Sequence, residues 1–341
     1  MKKTVSLKDI AQKVGVSTAL VSYVLNNKEK KARVGKEIAA EIRRVAKEMN
    51  YQPNLIARSL KFGKTKTIGL IVADISNPFF SNLARIVENE AKIHGYTVIF
   101  GSSDEQLEKF EGLINAFLTR QVDGLIITPV ENSQQQIENL KTKEIPFVLI
   151  DRYFPDIQTD AVIINNYDSS YRATKHFIEN GFTNIGMLAY DSSLEHMKQR
   201  INGYVDAYNE GLKSKKKKTD KLSLVKYDNT NGSIEKAVHS LVDIKKVDCI
   251  LFATISLAVK SLHIINERKI KVPESLGLIS FDESDVFDFF YSPLTYIKQD
   301  LQQIGQQSVR LLLDSMSGNT RSPVKIQVAT ELVERESSKK G

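Results

Sequence analysis

The chain has 341 residues, of which 26% are charged and 41% are hydrophobic, a globular composition long enough for two or three domains. Residues 1–66 hold 16 Lys and Arg against 5 Asp and Glu, a net charge of +11, and residues 67–341 hold the other 32 and 36, a net charge of −4. A small basic segment attached to a larger, mildly acidic body is typical of a nucleic-acid-binding domain joined to another module.

Residue content argues against several classes of protein. No run of about 18 apolar residues predicts a membrane span, and the first residues lack the apolar segment of a secretory signal, so we expect a bacterial cytoplasmic protein. Cys249 is the single cysteine, which excludes an internal disulfide and a cysteine zinc site. Phosphate-binding glycine loops and nucleophile motifs are missing as well, so we expect no catalytic residue, metal or cofactor.

The first 51 residues have the pattern of three short helices. Ser6 with an acid three residues later resembles a capping box, Gly15 ends the first helix, and Ser17 starts a second. A third helix is predicted over 36–49. Its inward-facing residues are expected to be Ile38, Ile42, Val45 and Met49. Two helices joined by a glycine turn and supported by a third form an all-α helix-turn-helix domain, assigned to residues 1–51.

The second helix of a helix-turn-helix lies in the DNA major groove, with its N-terminal residues at the base edges. The residues expected to read bases are Thr18, Ala19, Ser22 and Tyr23. The Thr18 hydroxyl offers a hydrogen bond, and the Ala19 methyl suits a thymine methyl. The alternative is a three-helix module that binds protein, which the charge of +11 disfavours.

From residue 67 onward, apolar strands alternate with amphipathic helices, which predicts parallel sheets covered by helices on both faces. The predicted strands are 68–73, 97–101, 124–128 and 146–151 in one series, and 185–190, 223–227, 249–253 and 277–282 in another. Two doubly wound parallel-sheet lobes of an α/β body fit this repeat. Residues 67–165 and 298–322 are assigned to the first lobe, and 166–297 and 323–341 to the second.

Ligands of open α/β sheets bind beyond the carboxyl ends of the strands, where this chain places polar and aromatic residues. The candidate ligand-binding residues are Asp74, Asn77, Phe79, Phe80, Asp151, Arg152, Asp191, Arg200, Tyr227 and Asp282. Carboxylates and arginines bind adjacent hydroxyls, and aromatic rings stack on C–H surfaces, so the set suits a sugar-like ligand. For Asp74 and Asp191 the alternative is capping of the following helix.

The order and spacing of several short motifs resemble the lac repressor (LacI/GalR) family of bacterial transcription regulators, over nearly the whole chain. These motifs are Asp9-Ile10-Ala11, Gly15-Val16-Ser17, Val21-Ser22-Tyr23-Val24-Leu25-Asn26, Tyr51-Gln52-Pro53-Asn54, Ala57-Arg58-Ser59-Leu60, Ile68-Gly69-Leu70-Ile71, Asp123-Gly124-Leu125-Ile126, Ser280-Phe281-Asp282 and Glu331-Leu332-Val333-Glu334-Arg335. The resemblance implies a homodimer that binds a palindromic operator in double-stranded DNA. It also implies a body of periplasmic-binding-protein type that holds a small effector between its lobes.

Residues 52–66 are interpreted as a hinge between the two parts. Its possible helix of two turns is shorter than the roughly 12–15 residues that a helix needs alone in water, so we expect it to fold on a partner. The resemblance implies a hinge helix in the minor groove, with Leu60 as the wedge between base pairs. The residues expected at phosphates or in the minor groove are Ser17, Asn26, Tyr51, Asn54, Arg58, Leu60 and Lys61. The alternative is a plain tether.

Some positions depart from the family pattern. Tyr23 stands where members often have Arg or His, and Gly35 stands where Ser often caps the third helix. Ile255 replaces a common acid, and Leu194 and Glu195 occupy a loop where a purine-binding member has an Arg. A sugar effector is therefore preferred, with a nucleobase as the alternative. The rival classes are a sugar-binding receptor without DNA function and a sugar-modifying enzyme.

Overall fold

A computed structural model gives the fold of this chain. It describes residues 5–30, 32–51, 63–212, 220–227, 231–318 and 321–340. The chain divides into two compact units, residues 1–65 and 66–341, here called the head and the body. Four residues of the predicted hinge, Asn54, Arg58, Leu60 and Lys61, lie outside the described residues, so their roles stay predictions.

The head contains the three predicted helices. They are α1 (Leu7–Val14), α2 (Thr18–Leu25) and α3 (Lys36–Glu48). Ser6 caps α1 through a full capping box, in which its hydroxyl accepts from the Asp9 amide and the Asp9 carboxylate accepts from the Ser6 amide at 2.8 Å. Gly15 follows α1 with a φ of +76°, a left-handed conformation that glycine adopts without strain. This residue therefore makes the tight turn that leads into α2.

The head is held together by a small aliphatic core. Its fully buried members are Ile10, Ala11, Val21, Val24, Ala39, Ile42, Val45 and Ala46. The prediction that Ile38 faces inward is wrong, because its side chain is 42% exposed. The buried stripe of α3 runs through Ala39, Ile42 and Val45, which leaves Ile38 at its solvent edge.

The first lobe of the body is built on a six-stranded parallel sheet with the order β11-β5-β4-β3-β1-β2. Its strands, numbered in chain order through the body, are β1 (Thr67–Val72), β2 (Thr97–Ser102), β3 (Gly124–Ile127), β4 (Phe147–Ile150), β5 (Ala161–Ile164) and β11 (Lys325–Val328). Its helices are α4 (Pro78–Ile93), α5 (Leu107–Thr119), α6 (Gln134–Thr142) and α12 (Leu301–Met316). The four strands predicted for this series are all present, with no end shifted by more than one residue.

The second lobe has a six-stranded sheet with the order β12-β10-β9-β8-β6-β7. Its strands are β6 (Ile185–Tyr190), β7 (Leu222–Val225), β8 (Cys249–Phe252), β9 (Gly277–Phe281), β10 (Thr295–Gln299) and β12 (Thr330–Val333). Its helices are α7 (Asn166–Glu179), α8 (Glu195–Gly211), α9 (Asn231–His239), α10 (Ile255–Glu267) and α11 (Val286–Phe289). Short helical turns at Ser240–Ile244 and Glu336–Ser338 complete the lobe. Strand β12 pairs antiparallel with β10, so this sheet is parallel except at one edge.

The chain crosses between the lobes three times, after β5, after β10 and after β11. The third crossing differs from the prediction, which assigned all of residues 323–341 to the second lobe. Lys325–Val328 instead pairs in parallel register with Ala161–Ile164 in the first sheet. Each lobe therefore receives one strand from the C-terminal segment, and the crossing lies at Ala329, between β11 and β12.

Both sheets are buried between helices, as the continuous apolar strands predict. The largest fully buried side chains of the body include Phe110, Tyr204, Phe252 and Phe281. Cys249 is buried in β8, and burial raises the pKa of its thiol well above the ordinary value. It is a core residue rather than a reactive one. No helix among the residues that the structure describes has the length and apolarity to span a membrane.

Candidate DNA interface and ligand cleft

The N-terminal end of α2 presents the predicted base-reading residues to solvent. Ser17 is its N-cap and accepts a hydrogen bond from the Leu20 amide at 3.2 Å, which fixes where the helix begins. Thr18 and Ala19 follow directly and are exposed. Tyr23, one turn later, is 45% exposed. Their neighbours Val21 and Val24 are buried, so core packing holds this face of α2 outward.

The remaining candidates of the head have different surroundings. Ser22 is half-buried, and its backbone carbonyl accepts from the Asn26 side-chain amide at 2.7 Å. The Asn26 side chain thus closes the C-terminal end of α2. Tyr51 is half-buried against the head core, and burial raises the pKa of its hydroxyl. Asn26 and Tyr51 therefore both make contacts within the head itself. Their contact with DNA phosphates stays a prediction.

Much of the acidic charge of the head is paired internally. Glu29 accepts from Arg43 at 2.6 Å, and Arg44 binds both Glu41 and Glu48 on the surface of α3. These exposed pairs contribute little to stability. They do, however, neutralise three acidic side chains of the head. The remaining lysines and arginines therefore determine the electrostatic field around it.

The body contains a cleft where the carboxyl ends of both sheets meet. It has a cavity volume of about 90 Å³ and is partly open to solvent. Five of the ten predicted ligand-binding residues line it, namely Asn77, Phe80, Arg152, Asp191 and Tyr227. They come from loops and helices that follow strands of both lobes, as predicted from the topology.

Arg152 lines this cleft from the first lobe. Its two terminal nitrogens donate to the two carboxylate oxygens of Glu105, at 2.6 and 2.7 Å. Burial by itself lowers the pKa of Arg152, but the charge of Glu105, its hydrogen bonds with Arg152 and the charge of Asp151 together outweigh burial and hold that pKa above its ordinary value. Sequence reasoning missed Glu105, which is 47 residues away along the chain and follows no predicted strand directly. The bidentate geometry fixes the Arg152 guanidinium firmly.

Asp151, Arg200 and Asp282 lie behind the cleft and line no part of it. Arg200 is 3% exposed, donates to Asn166 Oδ1 at 2.8 Å and to the Ala253 carbonyl at 2.7 Å, and stacks 4.0 Å above the Phe281 ring. Burial lowers the pKa of Arg200, while the charges of Asp282 and Asp151 oppose this. The three residues thus form a buried charged cluster that is coupled through the field of its charges. The ion pair of Asp151 is with Arg152, whose Nε lies 3.6 Å from its carboxylate.

The two aspartates of this cluster occupy matching positions in the two lobes. Asp151 directly follows β4 and Asp282 directly follows β9, and both have left-handed φ values, +64° and +69°. Burial raises the pKa of Asp151 to about 6 and raises that of Asp282 as well. Strained backbone of this kind concentrates at functional sites, and aspartate tolerates it better than most residues.

The remaining two candidates lie apart from the cleft. The Asp74 carboxylate accepts from the Ser76 amide at 2.9 Å and from its hydroxyl at 2.7 Å, which makes a local turn. The N-cap of α4 is Asn77 rather than Asp74. Phe79 lines a separate, open depression with a cavity volume of about 330 Å³, next to Asp282 and Gln299.

Several residues of the cleft were not predicted. Tyr190 lies at the end of β6, with its ring centroid 4.5 Å from that of Tyr227, and burial raises its pKa to about 12. His196 lies on the first turn of α8 and is 5% exposed. Burial, Arg152 and Arg200 together hold its pKa well below the ordinary value. The sequence signal that could have identified His196 is a polar residue in the first turn of a helix that follows a strand.

Two hydrogen-bonded contacts join the lobes beside the cleft. Glu131 of the first lobe accepts from the Ser192 hydroxyl at 2.8 Å and from the Ser193 amide at 2.5 Å. The Gln199 side-chain amide on α8 donates to the Tyr153 hydroxyl at 3.2 Å. Motion of one lobe against the other must therefore break or stretch these bonds.

The family departures are visible in the cleft wall. Leu194 is buried and lines the cleft, so the loop carries an apolar side chain at this point. Ile255 is buried at the start of α10, where Thr254 caps the helix. In the part of the chain that the structure describes, no group of three His, Cys, Asp or Glu residues is placed to hold a metal ion.

Comparison with known proteins identifies both units. Residues 6–54 match the family described as bacterial regulatory proteins, lacI family, and residues 174–338 match the periplasmic binding protein-like domain. The chain is 30% identical over 335 residues to the HTH-type transcriptional repressor PurR of Aliivibrio salmonicida (strain LFI1238), covering 97% of this chain and 98% of that protein. It is 30% identical over 340 residues to the ribose operon repressor of Halalkalibacterium halodurans, covering 98% of each.

The fold is similar to a solved regulator structure along the whole chain. The lac repressor dimer bound to operator and the anti-inducer ONPF superposes with a TM-score of 0.86 at 21% identity, covering 98% of this chain and 99% of that one. At this identity the likeness concerns the fold alone. It confirms the predicted combination of helix-turn-helix domain and two α/β lobes.

Proposed function

Since the chain belongs to the lacI family of bacterial regulatory proteins, a family of DNA-binding transcriptional repressors and not of enzymes, we propose that this regulator responds to a sugar or sugar derivative. Repressors of this family bind operator DNA as dimers and respond to small effectors. The observation that carries the proposal is the cleft itself, which both lobes line with hydrogen-bonding and aromatic side chains at the carboxyl ends of their strands.

The head reads the operator through the N-terminal end of α2. Thr18 and Ala19 are exposed beside a capped helix start, and Tyr23 extends the same exposed face by one turn. We assign base contacts to these three residues and to Ser22, and phosphate contacts to Ser17, Asn26 and Tyr51. The hinge residues Asn54, Arg58, Leu60 and Lys61 are assigned to phosphates and the minor groove on sequence grounds alone.

A selection for bound DNA tests this part of the proposal. The full chain is incubated with genomic fragments, recovered, and the retained DNA is sequenced, beside a chain that lacks residues 1–66. We expect one enriched palindrome for the full chain and none for the shortened chain, with affinity that falls steeply as salt rises. Equal retention by both chains, without a palindrome, would contradict operator binding by the head.

The effector is proposed to be a sugar rather than a nucleobase. The cleft carries the aromatic rings of Phe80, Tyr190 and Tyr227, which suit the C–H faces of a sugar ring. Carboxylates and Arg152 supply the partners that hydroxyl groups need. Leu194 and Glu195 occupy the loop where a purine-binding relative is expected to have an arginine, which disfavours the nucleobase alternative.

Lobe movement couples the effector to DNA. Glu131 and Tyr153 of the first lobe bond Ser192, Ser193 and Gln199 of the second, so a ligand between them changes which relative orientation is favoured. That orientation then determines whether the two hinge segments of a dimer fold together. We propose that the protein acts in the bacterial cytoplasm, at the nucleoid, because repressors of this family are cytoplasmic DNA-binding proteins.

A thermal-shift screen tests the effector class, because a ligand that binds the native state raises the melting temperature by mass action. Sugars, sugar derivatives and nucleobases are compared on the full chain. We expect a rise with at least one carbohydrate and none with nucleobases. A rise with a nucleobase and with no carbohydrate would overturn the sugar assignment and leave DNA binding untouched.

A further inference from the structure

The last residue assigned to the hinge, Lys66, has an unusual backbone conformation. Its φ is +55°, in the left-handed region that is costly for a residue with a Cβ. Other left-handed residues of the first lobe, such as Gln121 and Glu144, follow the ends of helices, where this conformation is common. Lys66 instead directly precedes strand β1, so its conformation needs a different cause.

Three residues of the first lobe hold Lys66 in this conformation. Its backbone amide donates to the Asp123 carboxylate, just before β3, at 3.0 Å. Its carbonyl accepts from the Thr97 amide, at the start of β2, at 2.9 Å. Its ammonium nitrogen lies 4.2 Å from the centre of the Tyr96 ring, a distance that suits a cation–π contact. The amide, the carbonyl and the side chain of Lys66 are thus each held by a different residue.

The partners of Lys66 are themselves fixed in the fold. Tyr96 is 7% exposed, and its amide donates to the Ala91 carbonyl near the end of α4 at 2.9 Å. The Asp123 amide donates to the carbonyl of Thr67, the first residue of β1, at 2.8 Å. Strand β1 pairs in parallel register with both β2 and β3. Lys66 is therefore anchored to three adjacent strands of the first sheet.

These contacts contribute more to position than to stability. Lys66 is exposed, so its contacts bury little apolar surface. Strained backbone that the surrounding structure holds in place concentrates at functional sites. The covalent link from the body to the head runs through Lys66, so a fixed backbone there fixes the direction in which the hinge leaves the first lobe.

We propose that Lys66, Tyr96 and Asp123 form a joint that positions the hinge for operator binding. A hinge that leaves each lobe in a fixed direction loses less conformational freedom when the two hinges of a dimer fold together on DNA, which strengthens binding. The inference rests on the proposed hinge role of residues 52–66 and adds the residues that hold the end of the hinge. Tyr96 and Asp123 are positioning residues, because they act on DNA through the hinge.

Asp123→Ala tests the joint against general electrostatics. The variant removes the acceptor of the Lys66 amide and also removes one negative charge, which by itself would tighten binding to DNA. The joint predicts the opposite, an operator Kd about tenfold weaker, measured by fluorescence anisotropy on the full chain with the palindrome recovered by genomic selection. The exposed Asp156→Ala makes the same charge change outside the joint and is expected not to weaken binding.

A second pair of variants tests the ring of Tyr96. Tyr96→Leu removes the aromatic face and keeps an apolar side chain, and it is expected to weaken binding of the palindrome about fivefold. Tyr96→Phe keeps the face for the Lys66 ammonium and is expected to restore the affinity. Equal operator affinity of the Leu and Phe variants would overturn the cation–π part of the joint.

Three further measurements separate positioning from a loss of folding. They are hydrogen exchange of the Lys66 amide, the melting temperature of the body and the affinity for an unrelated duplex. For Asp123→Ala we expect faster exchange at Lys66, an unchanged melting temperature and no weaker binding of the unrelated duplex, because the head is intact.

Several outcomes would overturn the joint while operator binding by the head stands. They are an Asp123→Ala protein with wild-type affinity for the palindrome, unchanged exchange at Lys66, or palindrome binding that weakens only in step with the melting temperature or with binding of the unrelated duplex. A wild-type chain that selects no palindrome contradicts operator binding itself, and with it this inference.

Discussion

The head and the body of this regulator use polar residues in opposite ways. In residues 5–30 and 32–51 no buried residue is polar, and the residues assigned to DNA there are exposed except for the half-buried Ser22 and Tyr51. The body instead buries Asp151, Arg152, Arg200 and Asp282 near its cleft, each less than 10% exposed. Reading DNA requires exposed side chains on a helix that simple packing holds in place. Sensing a small molecule requires desolvated groups whose pairing is expensive to disturb.

Loss of Arg200 is expected to have the largest effect. Arg200→Ala removes two buried hydrogen bonds and the cation whose charge stabilises the buried Asp282, whereas Asp151 keeps Arg152 at 3.6 Å, so we expect the body to lose about 3–5 kcal/mol of stability. Calorimetric melting measures this, with the exposed Arg310→Ala as a control that changes little. A small loss for Arg200→Ala would show that the body tolerates unpaired buried charge and would remove the contrast with the head.

Loss of core volume is the corresponding test for the head. Ile42 is fully buried in the aliphatic core, and Ile42→Ala is expected to cost about 2–5 kcal/mol, enough to unfold a unit of about 50 residues. Operator binding should disappear while the melting transition of the body stays in place. The neighbouring Ile38→Ala, at an exposed position, is expected to leave both unchanged. Retained operator binding by Ile42→Ala would show that the core is not what holds α2.

The pH dependence of the body reports the buried Asp151. Its folded pKa of about 6 lies above its ordinary 3.8, so the native state holds a proton that the unfolded chain has released. The stability that the native state gains by holding this proton is fully present below about pH 3.8 and is lost as pH rises through 6. The gap of about two pH units corresponds to about 3 kcal/mol.

The variant Asp151→Asn isolates the pH-dependent part of the stability that is due to Asp151. Asparagine also tolerates the left-handed backbone at this position. The stability difference between variant and wild type is expected to grow in favour of the variant between pH 4 and pH 7 in urea unfolding. A constant difference across this range would mean that Asp151 titrates as an exposed carboxyl does.

The sequence predicted the head and the cleft with unequal success. Capping at Ser6 and Ser17 and the turn at Gly15 are local features, and each is confirmed in the structure. The cleft depends on contacts between distant segments. Residues after strand ends, such as Arg152 and Tyr227, were identified from topology, whereas Glu105 and Glu131 take part through pairing with residues far away in sequence. Strand β11 was assigned to the wrong lobe because a short, half-exposed strand carries too little apolar pattern.

Smaller effects are expected where the head depends on helix ends. Ser6→Ala removes one half of the capping box and is expected to cost the head about 1 kcal/mol. Hydrogen exchange of the amides at the start of α1 measures it. The variant keeps Val5 and Leu7, which pack against the head core. A loss of stability well above about 1 kcal/mol would therefore show that Ser6 also supports the packing of this core.

Gly35 allows the opposite change. It caps α3 without a side-chain bond, at a φ of −61° that any residue adopts, and has open space around its Cα. Gly35→Ser is expected to stabilise the head by a few tenths of a kcal/mol, seen as later head unfolding in urea. A loss of stability would indicate that a side chain at this position clashes with the turn.

The central claim is that occupancy of the cleft in the body alters DNA reading by the head. Fluorescence anisotropy with the selected palindrome, with and without a saturating sugar, measures this directly. We expect the operator Kd to change at least fivefold in one direction, as is usual for allosteric coupling. An operator Kd that stays the same while calorimetry shows the cleft to be full would contradict the account.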